Sequence, residues 1–184
     1  MSEASQRQNL CNQLSDLDAI PVENRVRAGT PDINYRDGWI ELKWARSWPV
    51  KPDTPAKIDH FNKAQGLWGR RRWRAKGRSF LLLQVQHEWL LFDGATAYKY
   101  VGKVPRADLY TLALRHWENG MDYKELVIWL TMEWPELERL RKQRGLSSAV
   151  AAKLKQFDLP LKIGELPSTD TRDGKAENSQ TPPS

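Results

Sequence analysis

The dipeptide Asp37-Gly38 constrains this chain more than any other feature. It lies between Asp32-Ile33-Asn34-Tyr35-Arg36 and Trp39-Ile40-Glu41-Leu42-Lys43, two runs with the β-branched and aromatic residues of strands. Asp-Gly is the strongest short hairpin signal, because both loop positions of the favoured turn need φ > 0. The two runs are therefore expected to fold back on each other. With Asp37 and Gly38 as the loop, Arg36 pairs with Trp39, Tyr35 with Ile40, Asn34 with Glu41, Ile33 with Leu42 and Asp32 with Lys43. Opposed residues share a face, so Ile33, Tyr35, Ile40, Leu42 and Trp44 form an apolar face, and Asp32, Asn34, Glu41 and Lys43 a polar one. A slip of one residue would scramble that separation.

The polar face carries the chemistry. In this register Asp32 and Glu41 are diagonal neighbours, roughly 7 Å apart at the backbone, within reach of one hard cation. Bare carboxylates this close repel each other, and a bound Mg²⁺ relieves the repulsion. Lys43 is placed to hold an attacking water or to offset charge building up on a phosphate.

Pro31-Asp32 followed by Glu41-Leu42-Lys43 across a hairpin resembles the PD-(D/E)XK nuclease superfamily. Gly29-Thr30-Pro31-Asp32-Ile33 with Trp39-Ile40-Glu41-Leu42-Lys43 is most similar to its VRR-NUC and Holliday-junction-resolvase-like branches, especially small phage-type members. The resemblance runs from Glu23 to the strand near Val85. It implies an αβββαβ core in which Asp32, Glu41 and the backbone carbonyl of Leu42 bind Mg²⁺ or Mn²⁺, and Lys43 positions the nucleophilic water. It also matches Glu23 to an acidic residue before the hairpin and Gln65 to a glutamine on the following helix. Pro-Asp and Glu-x-Lys are each common, and a solvated strand face accounts for either one alone. Their joint spacing around a turn, with an apolar opposite face in register, is what gives the pattern weight.

Composition sets the outer limits. A chain of 184 residues, 40% hydrophobic with nine Trp, can bury a sizeable core. A net charge of +6 and a pI near 9.5 favour a polyanionic partner. The one cysteine, Cys11, excludes an internal disulfide and reads as a small residue on an apolar helix face. No apolar run approaches membrane-spanning length, and Met1 to Leu10 lacks the hydrophobic stretch of a secretion signal, so a cytoplasmic protein is expected. His60, His87 and His116 are scattered, which excludes a Cys/His zinc cluster, and a Gly-rich phosphate loop and a serine triad are absent.

Along the chain, Leu10, Leu14 and Leu17 predict an amphipathic helix over 5–19 that ends at Pro21, and Val22 to Arg27 reads as a first strand. Gly29 permits a bend into Pro31. Pro49, Pro52 and Pro55 make a loop beside the polar face, where Trp44 and Trp48 have the chemistry to stack on a base, with core packing the simpler reading for Trp44. Lys57 to Lys76 predicts the main helix. Its end carries Arg70, Arg71, Arg72, Arg74, Lys76 and then Arg78 without an acidic residue between them, a run suited to a phosphate backbone. Phe80 to Leu83 reads as a strand buried on both faces, Trp89 to Phe92 as another, and Asp93-Gly94 as a turn into an edge strand over Ala95 to Val101.

From Pro105 the pattern turns helical: one helix from Pro105 to Trp117, a second capped by Asp122 with Glu125, a third with Pro135 in its first turn, and a fourth from Ser147 or Ser148 to Phe157. These helices mimic a helix-turn-helix reader, although a small bundle packed on the core is the plainer reading. From Gly164 the composition is that of a disordered tail. The chain therefore divides into a nuclease core over 1–104, a helical extension over 105–163 and a tail over 164–184, in an α/β (α+β) fold with a mixed central sheet. The expected function is metal-dependent endonucleolytic cleavage of DNA, structure-specific or junction-resolving. The competing expectation is a non-catalytic DNA-binding or phage accessory module on the same fold. A junction resolvase would act as a symmetric homodimer.

Overall fold

The computed structural model describes residues 3–23 and 29–143. Helix α1 covers Glu3–Gln13 and is followed by a 3-10 turn over Ser15–Leu17. Leu10, Leu14 and Leu17 bury the face that their spacing defines, together with Cys11. Three antiparallel strands come next: β1 (Ile20–Pro21), β2 (Ile33–Tyr35) and β3 (Gly38–Ala45). β1 is short and lies at the sheet edge, where a proline costs no ladder bond. Of the first strand expected over 22–27, Val22 and Glu23 are not in strand and the short β1 precedes them, while positions 24–28 lie outside the described residues.

The hairpin forms with a corrected register. Tyr35 pairs with Gly38, Asn34 with Trp39 and Ile33 with Ile40, so Arg36 and Asp37 are the loop residues. Neither Asp37 nor Gly38 has a positive φ. Gly38 is needed for a different reason: a Cβ there would lie 2.6 Å from the Arg78 Cβ and 2.9 Å from the Tyr35 hydroxyl. Because the shift is two residues, every side chain keeps its face. Ile33, Tyr35, Ile40 and Leu42 are buried in one apolar cluster, and Glu41 and Lys43 point to the other side.

Helix α2 (Lys63–Arg74) then carries the chain to β4 (Arg78–Val85), which lies beside β3 and parallel to it. The order α1-β1-β2-β3-α2-β4 is the expected αβββαβ sequence. α2 starts six residues later than expected. Asn62 caps it in a reciprocal capping box with Gln65, and His60, at φ 60°, breaks the helical path before it.

β5 (Glu88–Asp93) returns antiparallel through a turn at Gln86 and His87. The edge strand expected after it is instead helix α3 (Gly94–Tyr100). Asp93 does not make a hairpin turn. Its Oδ1 accepts from the backbone N–H groups of Ala95 and Thr96, both at 2.9 Å, and its Oδ2 from the Thr96 hydroxyl, an N-cap that starts a helix.

The helix expected over 105–117 is also divided. Helix α4 (Arg106–Leu112) ends, the Leu114 N–H donates to the Leu91 carbonyl at 2.7 Å, and Arg115–Trp117 form β6 against β5. Sheet pairing of Trp117 with Trp89 outcompetes continuation of the helix. Helices α5 (Tyr123–Thr131), capped by Asp122, and α6 (Trp134–Gln143), with Pro135 in its first turn, follow as expected. The expected fourth helix and tail lie outside the described residues.

Among the described residues, the result is a mixed sheet in the order β1-β2-β3-β4-β5-β6 with helices on both faces. One face packs Leu10, Leu14, Ile40, Leu82, Leu126, Leu130 and Leu137 under α1, α5 and α6. The other packs Leu81, Leu83, Leu90, Phe92, Ala97 and Leu109 under α3 and α4. Residues after 105 thus give a strand to the sheet and side chains to the core that holds Leu10, and the Tyr35 hydroxyl donates to the Leu130 carbonyl at 3.1 Å. No helix among the described residues is long and apolar enough to cross a membrane.

Candidate active site

β3 runs past the end of β2, since Ile33–Ile40 is the last ladder pair while β3 continues to Ala45. Backbone groups of β3 beyond Ile40 therefore need other partners. Asp32 supplies one: its Oδ2 accepts from the Leu42 N–H at 2.9 Å. The N–H and C=O of one strand residue point to the same side, so the Leu42 carbonyl leaves β3 on the side where Asp32 sits. Continuing the observed register by one step puts Asp32 opposite Glu41, closer than the diagonal placement expected from sequence. The loop holding Asp32 is fixed from both ends. The Val22 N–H donates to the Asp32 carbonyl at 2.8 Å. Gly29, at φ 84°, presses against the first turn of α2, where a Cβ would lie 2.6 Å from the Ala64 carbonyl carbon.

Glu41 and Lys43 sit two residues apart on the same strand face, with Lys43 Nζ 2.7 Å from Glu41 Oε1. Their side chains are 7% and 4% exposed. In the β3–β4 register their neighbours are Leu81 and Leu83, so an ion pair is set into an apolar wall. Glu41 also lines a crevice of about 10 Å³ with Pro31, Gln65, Gly66 and Gly69, room for one water-sized particle.

The other expected site residues fall nearby in different roles. Glu23 is 69% exposed and reaches the site through Arg7, whose guanidinium lies 3.3 Å from Glu23 Oε1 and 3.9 Å from Asp32 Oδ1. Arg7 escapes sequence reading because it stands on a mostly polar helix far from the motif. Its one signal is that no other basic residue lies on α1. Gln65 lines the same crevice as Glu41, but its side-chain carbonyl accepts from the Asn62 N–H at 3.1 Å. The donor set of Asp32, Glu41 and the Leu42 carbonyl is all oxygen, which fits Mg²⁺ or Mn²⁺ with water completing the shell. Among the described residues, no group of three or more His, Cys, Asp or Glu side chains gathers at one point, so the carbonyl and water are essential to such a site. Two carboxylates and one ammonium leave the site net negative, and a divalent cation makes it net positive.

From Trp44 onward the end of β3 opens into a cleft of about 560 Å³, lined by Gln6, Trp44, Arg46, Lys57, Asp59 and His60 among others. Trp44 alternates onto the apolar face but is 48% exposed there. Trp48 is the structural one of the pair. Its indole N–H donates to Glu88 at 3.1 Å and its ring meets Tyr110 edge-on. Glu88 also accepts from Arg106 at 2.8 Å and from Tyr110, and lies 3.0 Å from His116 Nε2. Burial alone would push the Glu88 carboxyl up. Hydrogen bonds from Tyr110, Trp48 and His116 and the Arg106 charge outweigh it and hold the group below its ordinary value.

The basic run does not form one surface. Arg71, Arg72, Arg74 and Lys76 are exposed, and Arg70 lies 4.9 Å over the Tyr98 ring. Arg78 turns inwards, donating to the Met132 carbonyl at 2.6 Å and the Thr131 carbonyl at 3.3 Å. α2 is the crossover between parallel strands, so its C-terminal end lies about 18 Å from its start, at the end of the sheet away from the cleft. The cations that border the cleft are Arg46 and Lys57, which sequence reading passed over because they are isolated.

Compared with known proteins, the chain matches no protein-family model and no curated protein. The geometry of its own residues is therefore the ground for a functional reading.

Proposed function

We propose that this chain is a metal-dependent nuclease of the PD-(D/E)XK type, acting on DNA in the cytoplasm. The observation that carries this reading is the Asp32 carboxylate on the Leu42 N–H at the open edge of β3, with Glu41 and Lys43 paired on one face of a strand whose end borders a cationic cleft. Asp32, Glu41 and the Leu42 carbonyl would hold Mg²⁺ or Mn²⁺. When bound, the ion supplies positive charge for the phosphate and acidifies water. Lys43 orients the attacking water or offsets charge on the phosphate. The Leu42 N–H fixes the Asp32 rotamer, and Arg7 balances Asp32 and Glu23. Arg46 and Lys57 hold the nucleic-acid backbone.

The test is cleavage of labelled branched, nicked, single-stranded and duplex DNA in Mg²⁺, Mn²⁺ and EDTA, with Glu41→Ala and Asp32→Asn alongside. Cleavage should require metal and fall by at least about 100-fold in both variants. Equal cleavage by either variant would refute the assignment. The burial of Glu41 against Lys43 favours one competitor, a non-catalytic DNA-binding module in which the pair is purely structural. Metal-independent binding without cutting would establish it.

A further inference from the structure

We infer that the cleft at the end of β3 seats an unpaired nucleobase against Trp44, so that the preferred substrate is DNA with single-stranded character beside the scissile phosphate. This rests on the nuclease reading and names its substrate class.

Trp44 carries the inference. A tryptophan commonly buries about 150–250 Å², yet this one stays 48% exposed on a face whose neighbours Ile40 and Leu42 are sealed. It is adjacent in register to Gln84, whose side chain is bonded to Gln6 at 2.9 Å. The end of the sheet is thus finished with a polar pair and an open indole. The ring lines a cleft of about 560 Å³, within the usual range of roughly 300–1,000 Å³ for ligand pockets. Arg46, Lys57 and His60 line it as well, with Asp59 as the acidic side chain. An aromatic platform flanked by cations is how single strands are held, because every base has a π face and every nucleotide a phosphate. Trp44 faces the opposite side of the sheet from Lys43, and what joins it to the site is the open edge of β3. The Asp32 carboxylate accepts from the Leu42 N–H on that edge, two residues before Trp44, so a base stacked there lies along the same edge as that carboxylate. In continuous duplex both faces of a base are already stacked on its neighbours, so Trp44 can engage only a base that has left the stack.

The full chain in EDTA, titrated into labelled oligo-dT and into blunt duplex of equal length and followed by fluorescence anisotropy, tests the inference. Trp44→Ala should weaken oligo-dT binding by roughly 5- to 150-fold, while duplex binding changes less than about twofold. Trp44→Phe, which keeps a ring, should recover most of the loss. Trp44 is half-exposed, so both variants should fold, and circular dichroism with a melting curve checks that they do. Equal losses on both DNAs, no loss on oligo-dT, or no affinity of the wild type for oligo-dT would each overturn the inference. Because the measurement is made without metal, a protein that binds oligo-dT through Trp44 but never cuts would remove the nuclease reading and leave this one standing. A wild type that cuts blunt duplex as fast as forked DNA, with Trp44→Ala unchanged, would do the reverse.

Discussion

Replacing Lys43 with methionine isolates the electrostatics of the proposed site. At 2.7 Å, with an effective dielectric of 20, the Lys43–Glu41 attraction is about 6 kcal/mol. Desolvation of two side chains that are 4% and 7% exposed offsets several kcal/mol per ion, so the pair contributes little net stability. Breaking it is another matter. Lys43→Met leaves Glu41 charged against Leu81 and Leu83 and should destabilise the protein by about 3–5 kcal/mol in urea titration. Glu41→Leu with Lys43→Met, which replaces both ions by apolar groups, should recover most of that loss. If Glu41 is a metal ligand, Mg²⁺ at 100 times its dissociation constant should restore about 2.7 kcal/mol to the single variant and nothing to the double variant. A loss below about 1 kcal/mol in Lys43→Met would mean that Glu41 is solvated, and the argument from a sealed ion pair would fail.

Two groups should set opposite slopes in the pH dependence of stability. Glu88 is held below its ordinary value of 4.5, so its stabilising contribution is present above that pH and lost as pH falls through the folded value; Glu88→Gln should flatten this acid limb of a melting-temperature profile. Burial raises Asp93 from 3.8 against the pull of its Thr96 hydrogen bonds, so its contribution improves as pH falls towards 3.8, and Asp93→Asn, which keeps an acceptor for the cap, should remove that gain. Arg78→Met should cost about 1–3 kcal/mol of stability, because two carbonyls lose their donor, while leaving DNA affinity unchanged. Arg46→Ala and Lys57→Ala should each reduce the salt slope of DNA binding by about one without changing stability, and unchanged slopes would remove the cleft from the interface.

Alternation along β3 was legible from sequence because side-chain period is local: Ile40 and Leu42 against Glu41 and Lys43 needs no tertiary information. The hairpin loop lies one residue earlier than its dipeptide signal, and the pairing register shifts by two, because Gly38 is used for the approach of Arg78 on β4, a contact between residues 40 positions apart that no local turn rule contains. Asp93-Gly94 carries the same dipeptide signal and makes a helix cap, since Asp offers an acceptor to either structure and the following Ala-Thr-Ala decides. β6 was hidden inside an apparently helical run, because Trp117 is apolar at both periods and the pairing with β5 is what selects strand. Arg78 looked like the end of a cationic stripe for a similar reason, and its face is set by the β4 pleat and not by the helix before it.

The short β2 is what joins fold and site. Had it continued, Leu42 would have received a backbone partner and the polar face would have been an ordinary ladder. Because it stops at Ile33, a carboxylate does the work of a strand, and the group that satisfies the Leu42 N–H is the same group proposed to hold the metal. Asp32→Ala therefore removes two things at once, and its loss of activity would say little, since an orphaned N–H beside the site costs about 1–3 kcal/mol and loosens β3. Asp32→Asn keeps the acceptor and removes only the charge. If it folds with wild-type stability and still fails to cut in Mg²⁺, the charge itself is needed for catalysis. If it cuts, Asp32 is no more than a substitute for the missing end of β2.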